Sequence, residues 1–293
     1  MRILILGGDG MLGDELFRQL GEHHDVRVTL RQALDDYRGV GLFSAQNAID
    51  RVDVRDEARL AGALSDFAPD VAINCVGIVK QRPDAKSPVP SIEINSLYPH
   101  KLLALCSARG TRLVHFSTDC VFSGKTGGYR ESDTPDPVDL YGHTKLLGEL
   151  QDPPGLTLRT SIIGLELSRR AGLIEWFLAQ RGKIRGFRRA VYTGFTTREM
   201  GRIVRRLLEQ HDDLHGVWHV ASAPINKYTL LVELAKKLRR SDIEIMADDT
   251  FACDRSLRAD RFQAATEYAP PSWDKMLTEL PDDVRRRGPG NRA

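Results

Sequence analysis

Gly7-Gly8-Asp9-Gly10-Met11-Leu12-Gly13 follows directly on the apolar run Ile3-Leu4-Ile5-Leu6 and leads into a helix-length segment that ends near Leu20. Two glycine spacings overlap in it. Gly7, Gly10 and Gly13 read GxxGxxG, and Gly8, Gly10 and Gly13 read GxGxxG. Either lets the backbone turn tightly and approach a pyrophosphate, which then meets free N–H groups and a favourable dipole at the helix N-terminus. The spacing alone is common; its place between a buried strand and a helix makes it a dinucleotide-binding turn. Gly7, Gly10, Met11, Leu12 and Gly13 are expected against that ligand.

Downstream, short apolar runs alternate with helical patterns. Strands are expected at 2–6, 26–30, within 47–54, and at 71–76, 112–117, 156–163 and 217–221. Helices are expected at 11–20, 57–67, 92–108, 140–150 and 197–210. Such alternation gives βαβ units, and strands apolar throughout suit a parallel sheet covered on both faces. The fold class is therefore α/β, a Rossmann-type doubly wound parallel sheet over residues 1–165, to which 196–222 returns. Residues 166–293 are expected to hold mostly a smaller, discontinuous α/β substrate domain. It would contain amphipathic helices at 172–180 and 228–240, short mixed elements at 251–265 and 271–280, and a disordered tail from about residue 285.

Composition narrows the function classes. A net charge of +2 over 293 residues creates no field that would draw a nucleic acid or a membrane surface. The N-terminal apolar run is too short for a signal-peptide core, and no other stretch is long enough to span a bilayer, so the chain is expected in the cytoplasm. Cys75, Cys106, Cys120 and Cys253 show no CxxC spacing, so neither a zinc site nor a disulfide framework is expected, and no metal is assigned.

The second strand ends at Thr29-Leu30-Arg31. NAD sites usually place a carboxylate here for the ribose 2′-hydroxyl. Arg31 would instead pair with the 2′-phosphate of NADP, so NADP(H) is favoured and NAD(H) allowed. Asp53-Val54 follows the third strand, where an adenine amino group could be held; Asp53 could equally cap a helix. Cys75-Val76-Gly77 ends the fourth strand, where a dinucleotide would cross the sheet edge.

Tyr141 and Lys145 form a YxxxK pair on one helix face. A phenol titrates near ~10, and a neighbouring ammonium favours phenolate. Bringing it to ~7 takes roughly 4 kcal/mol of preferential stabilisation. Ser117-Thr118-Asp119 ends the fifth strand, where open α/β sheets place ligands, and a hydroxyl there can steady charge on a carbonyl oxygen. His115 and His219 fall inside apolar strands and read as core histidines; His143 is expected to face away from Tyr141.

Together the glycine turn, Ser117-Thr118-Asp119-Cys120-Val121-Phe122-Ser123-Gly124, Tyr129-Arg130-Glu131, the stretch Asp139 to Glu149, Leu158-Arg159-Thr160-Ser161 and Pro270-Pro271-Ser272-Trp273 resemble the extended short-chain dehydrogenase/reductase family. Within it the chain looks most like dTDP-4-dehydrorhamnose reductase and related nucleotide-sugar 4-ketoreductases. The resemblance covers most of the chain and thins after Gly164.

It implies a catalytic set of Thr118, Tyr141 and Lys145. NADPH would deliver hydride to a C4 ketone of a nucleotide-linked deoxysugar, and Tyr141 would protonate the alkoxide. Lys145 would hold the ribose hydroxyls and tune Tyr141, and Thr118 would bond the carbonyl oxygen. Asp119 and Val121 would line the substrate site. In the second domain Tyr192 would sit in the gripping loop, Trp176 would stack on a base and Arg255 would pair with the diphosphate. Lys80 and Arg82 could reach phosphates.

Related 4,6-dehydratases carry Glu where this chain has Cys120, so dehydration lacks its usual base. Reductases of the family often have Tyr at that position, which leaves the sugar open. Two alternatives stand beside the reductase: a nucleotide-sugar 4-epimerase with tightly bound NAD, and a non-enzymatic regulatory subunit resembling that of methionine adenosyltransferase. The oligomeric state is open, a homodimer included.

Overall fold

The computed structural model describes residues 1–80, 86–167 and 170–286. Strand β1 (Arg2–Leu6) runs through the glycine turn into helix α1 (Met11–Leu20), followed by β2 (Asp25–Thr29) and the two-residue β3 (Ala48–Ile49). Next come α2 (Glu57–Phe67) and β4 (Val71–Asn74). Helices α3 (Pro88–Ile92) and α4 (Tyr98–Ser107) are joined by a π-helical turn at Glu93–Leu97. Strand β5 (Arg112–Thr118), helix α5 (Leu140–Leu147) and β6 (Gly155–Ile163) complete the first part. Beyond it lie α6 (Leu173–Ala179), β7 (Gly182–Tyr192), β8 (Gly194–Thr196), α7 (Thr197–Gln210), β9 (Gly216–His219) and β10 (Ile225–Asn226). Helix α8 (Lys227–Lys237), β11 (Ile243–Asp254), α9 (Asp260–Thr266), α10 (Trp273–Thr278) and α11 (Leu280–Arg286) end the described chain.

Among the described residues the large sheet has eight strands, seven in the order β3-β2-β1-β4-β5-β6-β8 and the eighth, β9, paired with β6. Every pairing in it is parallel. Strand β6 is long enough to pair with β9 along its first half and with β8 along its second. The chain reverses direction across the sheet between β1 and β4, so their carboxyl ends flank a crevice. Strand β1 explains why its sequence carries no polar alternation. Ile3 and Ile5 pack into the core shared with Leu12, Leu16 and α7, while Leu4 and Leu6 pack on the other face against α2 and α4.

A second, three-stranded sheet has the order β10-β7-β11 and departs from the sequence expectation. Residues 181–191 and 243–250 carry no clear periodicity because one face of β7 and β11 is in solvent and bears arginines and acids. Phe251 to Asp254 complete β11, and α9 follows, where the sequence suggested short mixed elements. The helix expected at 140–150 stops at Leu147, capped by Gly148. The helix expected at 92–108 begins earlier and is interrupted by the π turn. Arg285 and Arg286, expected in the tail, finish α11; residues 287–293 lie outside the described part. Among the described residues no helix is long and apolar enough to cross a membrane.

A buried ion pair pins the carboxyl end of β5 and β6. Arg159 donates to Glu149 through Nε and Nη2, each at 2.7 Å. Ser117 Oγ donates to the same carboxylate at 2.6 Å, and Arg159 also lies over the Phe122 ring. His219, as expected, is a satisfied core residue, bonded to Arg159 and to the Tyr129 carbonyl. Glu149→Leu would leave the guanidinium buried without a counter-charge. It is expected to lower unfolding free energy by about 3–5 kcal/mol in urea, and the double variant with Arg159→Met by much less. Equal losses in both would show that the pair is not the source of the effect.

Candidate active site

The turn after β1 requires its glycines. Gly7 has φ +83°, and its N–H donates to Thr29 Oγ1 at 3.1 Å. A Cβ on Gly13 would lie 2.1 Å from the Gly7 carbonyl oxygen, and one on Gly8 would lie 2.5 Å from Val28 Cβ. Gly10 caps α1 without a side chain, leaving the first helical N–H groups for a ligand. The turn opens on a groove of about 640 Å³ at the β1/β4 crevice, lined by Gly7, Gly10, Arg31, Asp53, Val54, Cys75, Val76 and Gly77 among others. Backbone donors and a cradle that any Cβ would fill fit a dinucleotide's pyrophosphate.

Two expected contacts are more limited. The Leu12 side chain is buried in the core, and Met11 lines a neighbouring cleft with Asp14 and Arg18, so each can offer the groove its backbone alone. Asp53 is held by Arg55 through Nε at 3.0 Å and Nη2 at 2.6 Å, and this pairing draws its carboxyl down to about 2. Arg31 is exposed at the same rim, with no hydrogen-bond partner among the described residues. Arg55, missed in the sequence, adds a second cation to this rim.

The hydroxyls meet at the end of β5. Cys120 N–H donates to Thr118 Oγ1 at 3.1 Å, closing a tight 3₁₀ turn at Asp119–Val121. Asp139 caps α5 by accepting from Gly142 N–H at 2.8 Å, and Lys80 bonds Asp139 at 2.6 Å rather than standing free for a phosphate. A Cβ on Gly142 would lie 2.3 Å from the Cys120 carbonyl oxygen. That close approach sets Tyr141 beside Thr118. Burial pushes the Tyr141 hydroxyl up, the neighbouring Cys120, Asp119 and Asp139 push the same way, and the Thr118 hydroxyl opposes them. The phenol is therefore protonated at neutral pH.

The Lys145 side chain turns toward β5. Its Nζ donates to the Phe116 carbonyl at 2.6 Å and lies 3.3 Å from His115 Nε2. Burial lowers it to about 8. It lies on the same face of α5 as Tyr141, one turn further along. Asn95 of the π turn bonds the Ile78 N–H and carbonyl and the Thr144 hydroxyl, joining the loop after β4 to α5. Gly148 permits that contact, since a Cβ there would meet the Asn95 carbonyl oxygen at 1.9 Å.

Around this pair the expected substrate residues divide. Asp119 is buried, and burial raises its carboxyl. Val121 is 0% exposed and belongs to the core, so its expected substrate contact is corrected: the 3₁₀ turn points it inward. Tyr192 is buried, its hydroxyl without a hydrogen-bond partner among the described residues, and Lys227 sits 4.6 Å over its ring. The charge of Lys227 reaches Asp119 and Cys120, yet its place at the start of α8 carried no sequence signal. Arg255 is engaged by the protein, donating to the Phe122 carbonyl at 2.9 Å and lying 3.5 Å from Cys120 Sγ. Trp176 stays 39% exposed on α6 and joins none of these contacts. His143 is exposed, away from the site, and all four cysteines are free thiols. Arg82 lies outside the described residues.

The family described as RmlD substrate binding domain matches residues 1–285. The probable low-salt glycan biosynthesis reductase Agl14 of Haloferax volcanii is 29% identical over 239 residues, covering 76% of this chain and 75% of that protein. Methionine adenosyltransferase 2 subunit beta of Bos taurus is 31% identical over 153 residues, covering 50% of this chain and 41% of its own length. The fold matches the crystal structure of dTDP-4-dehydrorhamnose reductase from Bacillus anthracis in complex with NADP, with a TM-score of 0.77 at 18% identity over 95% of this chain and 98% of that one.

The depressed Lys145 value predicts a pH-dependent stability difference. The buried ammonium opposes folding fully below about 8. That cost is relieved as pH rises from there to the ordinary lysine value near ~10.4. Relative to Lys145→Met, the wild type should therefore gain on the order of 1–3 kcal/mol of unfolding free energy between pH 7 and 10. Urea titrations of both proteins across that range test it; a constant difference would mean the amine is not desolvated.

Proposed function

The chain belongs to the family described as RmlD substrate binding domain, and on that premise we propose that it is an NADPH-dependent oxidoreductase reducing a C4 keto group on a nucleotide-linked deoxysugar. The observation that carries this reading is the protonated Tyr141 phenol set beside the Thr118 hydroxyl, at the strand end that follows the dinucleotide groove.

When bound, the nicotinamide cofactor supplies hydride. The backbone of Gly7, Gly10 and Gly13 would hold its pyrophosphate, and Arg31 would pair with its 2′-phosphate. Thr118 donates to the substrate carbonyl oxygen and stabilises charge as it develops there. Tyr141 then gives its phenolic proton to that oxygen. A phenol kept neutral is in the correct state to act as an acid, and an alkoxide is a stronger base than the phenolate left behind. Lys145 lies on the same helix face and answers the phenolate once it forms. Cys120 supports reduction over water elimination. Burial pushes its thiol up to about 12, so it offers no base where dehydratases carry a glutamate.

The reductase name of the Haloferax protein and the NADP bound to the Bacillus enzyme support the same reading. The likeness to methionine adenosyltransferase 2 subunit beta favours a second one, a regulatory subunit without turnover. The presence of Thr118, Tyr141 and Lys145 together argues for the enzyme.

NADPH oxidation should appear with at least one member of a panel of dTDP-, UDP-, GDP- and CDP-linked 4-keto sugars, and Tyr141→Phe should lower it by about 10²–10⁴-fold. Wild-type rates in Tyr141→Phe would contradict the mechanism. No turnover with any member, beside a stable protein partner, would favour the subunit, and tightly copurifying NAD would favour the epimerase. Arg31→Asp is expected to reverse the preference of NADPH over NADH in kcat/KM. An unchanged ratio would remove Arg31 from cofactor recognition.

A further inference from the structure

Three buried side chains form a line behind the hydroxyl pair. Asn74 ends β4, His115 stands opposite it in the parallel register of β5, and Lys145 reaches them from α5. Their contacts fix where the protons lie. The backbone N–H of Val76 donates to Asn74 Oδ1 at 3.0 Å, so that end of the amide must be the oxygen. The other end, Nδ2, is a donor and lies 3.0 Å from His115 Nδ1. Nδ1 therefore accepts, and a neutral ring carries its proton on Nε2. The ring is neutral because it is 1% exposed and burial opposes its charged form, with Lys145 of α5 and His100 of α4 facing it.

The protonated Nε2 faces Lys145 Nζ at 3.3 Å. Against an ammonium, that N–H is a donor facing a donor. Against an amine, it is a hydrogen bond to the nitrogen lone pair, and the amine still has an N–H for the Phe116 carbonyl at 2.6 Å. We propose that Asn74 and His115 are positioning residues for Lys145: by locking the imidazole proton on Nε2 they bias the lysine toward its uncharged amine, and so set the pH below which its cation is available to Tyr141. The groups facing Lys145 act in both directions. Glu149, just past the end of α5, draws it toward the ammonium, while burial opposes the charge. Tyr141, one turn earlier, is neutral until it gives up its proton.

These contacts lie within the chain, so they hold whichever sugar is reduced and can be tested without turnover. Long-range ¹⁵N NMR of histidine-labelled full-length protein should find His115 as a neutral Nε2–H tautomer from pH 6 to 9. A lysine ¹³Cε titration, with Lys145 assigned by its loss in Lys145→Met, should give a midpoint near 8 for Lys145. In His115→Leu that midpoint should rise by about one pH unit, a tenfold gain in proton affinity, because the opposing N–H is gone. An Nδ1–H tautomer or a charged ring in the wild type would overturn the proposal, as would a Lys145 midpoint that stays or falls in His115→Leu. If His115→Leu does not fold, the wild-type tautomer decides alone.

Discussion

Burying the amine of Lys145 beneath the end of β5 is the constraint from which the local architecture follows. A cation taken out of water needs an acceptor, and it finds the Phe116 carbonyl, while the protonated edge of His115 opposes its charge. Glu149 sits just past the end of α5 as counter-charge, and it in turn is buried and needs Arg159 and Ser117. Helix α5 must therefore lie close against both β5 and the π turn. Gly142 and Gly148 make that possible, because side chains there would run into the Cys120 and Asn95 carbonyls. Once α5 is held this close, Tyr141 is carried to Thr118 without any further device.

The same packing accounts for the state of the phenol. Lys145 is occupied by the strand carbonyl, so burial and the acidic neighbours of Tyr141 dominate and keep it protonated. In the proposed reduction this is the useful state, since the phenol must give a proton rather than accept one. The lysine then matters after transfer, when a phenolate has to be accommodated. A lysine that titrates near neutrality can respond to that change, whereas a fully solvated one would remain charged throughout.

Much of this was legible in the sequence, for local reasons. The glycine turn and the apolar strands encode their structure within a few residues, and the YxxxK spacing puts two side chains on one helix face wherever the helix sits. What the spacing could not encode was direction: Lys145 points toward His115 because of where β5 lies, a contact across 30 positions. His115 read as a core histidine and is one, but its second partner makes it part of the site. Strands β7 and β11 escaped notice because their charged faces hide the alternation and they pair across some 60 residues with a bulge between Asp248 and Ala252. Lys227 belongs to the same class, a residue whose position over Tyr192 is set by two elements distant in sequence.

In the proposed enzyme the glycine groove and the Thr118–Tyr141 pair serve one bound dinucleotide. A crystal structure of the protein with NADP⁺ tests this most directly. The pyrophosphate should lie on the N-terminus of α1 and the nicotinamide ring should face the Thr118 and Tyr141 hydroxyls. A dinucleotide bound with its nicotinamide turned away from that pair, or no binding in the groove at saturating NADP⁺, would contradict it.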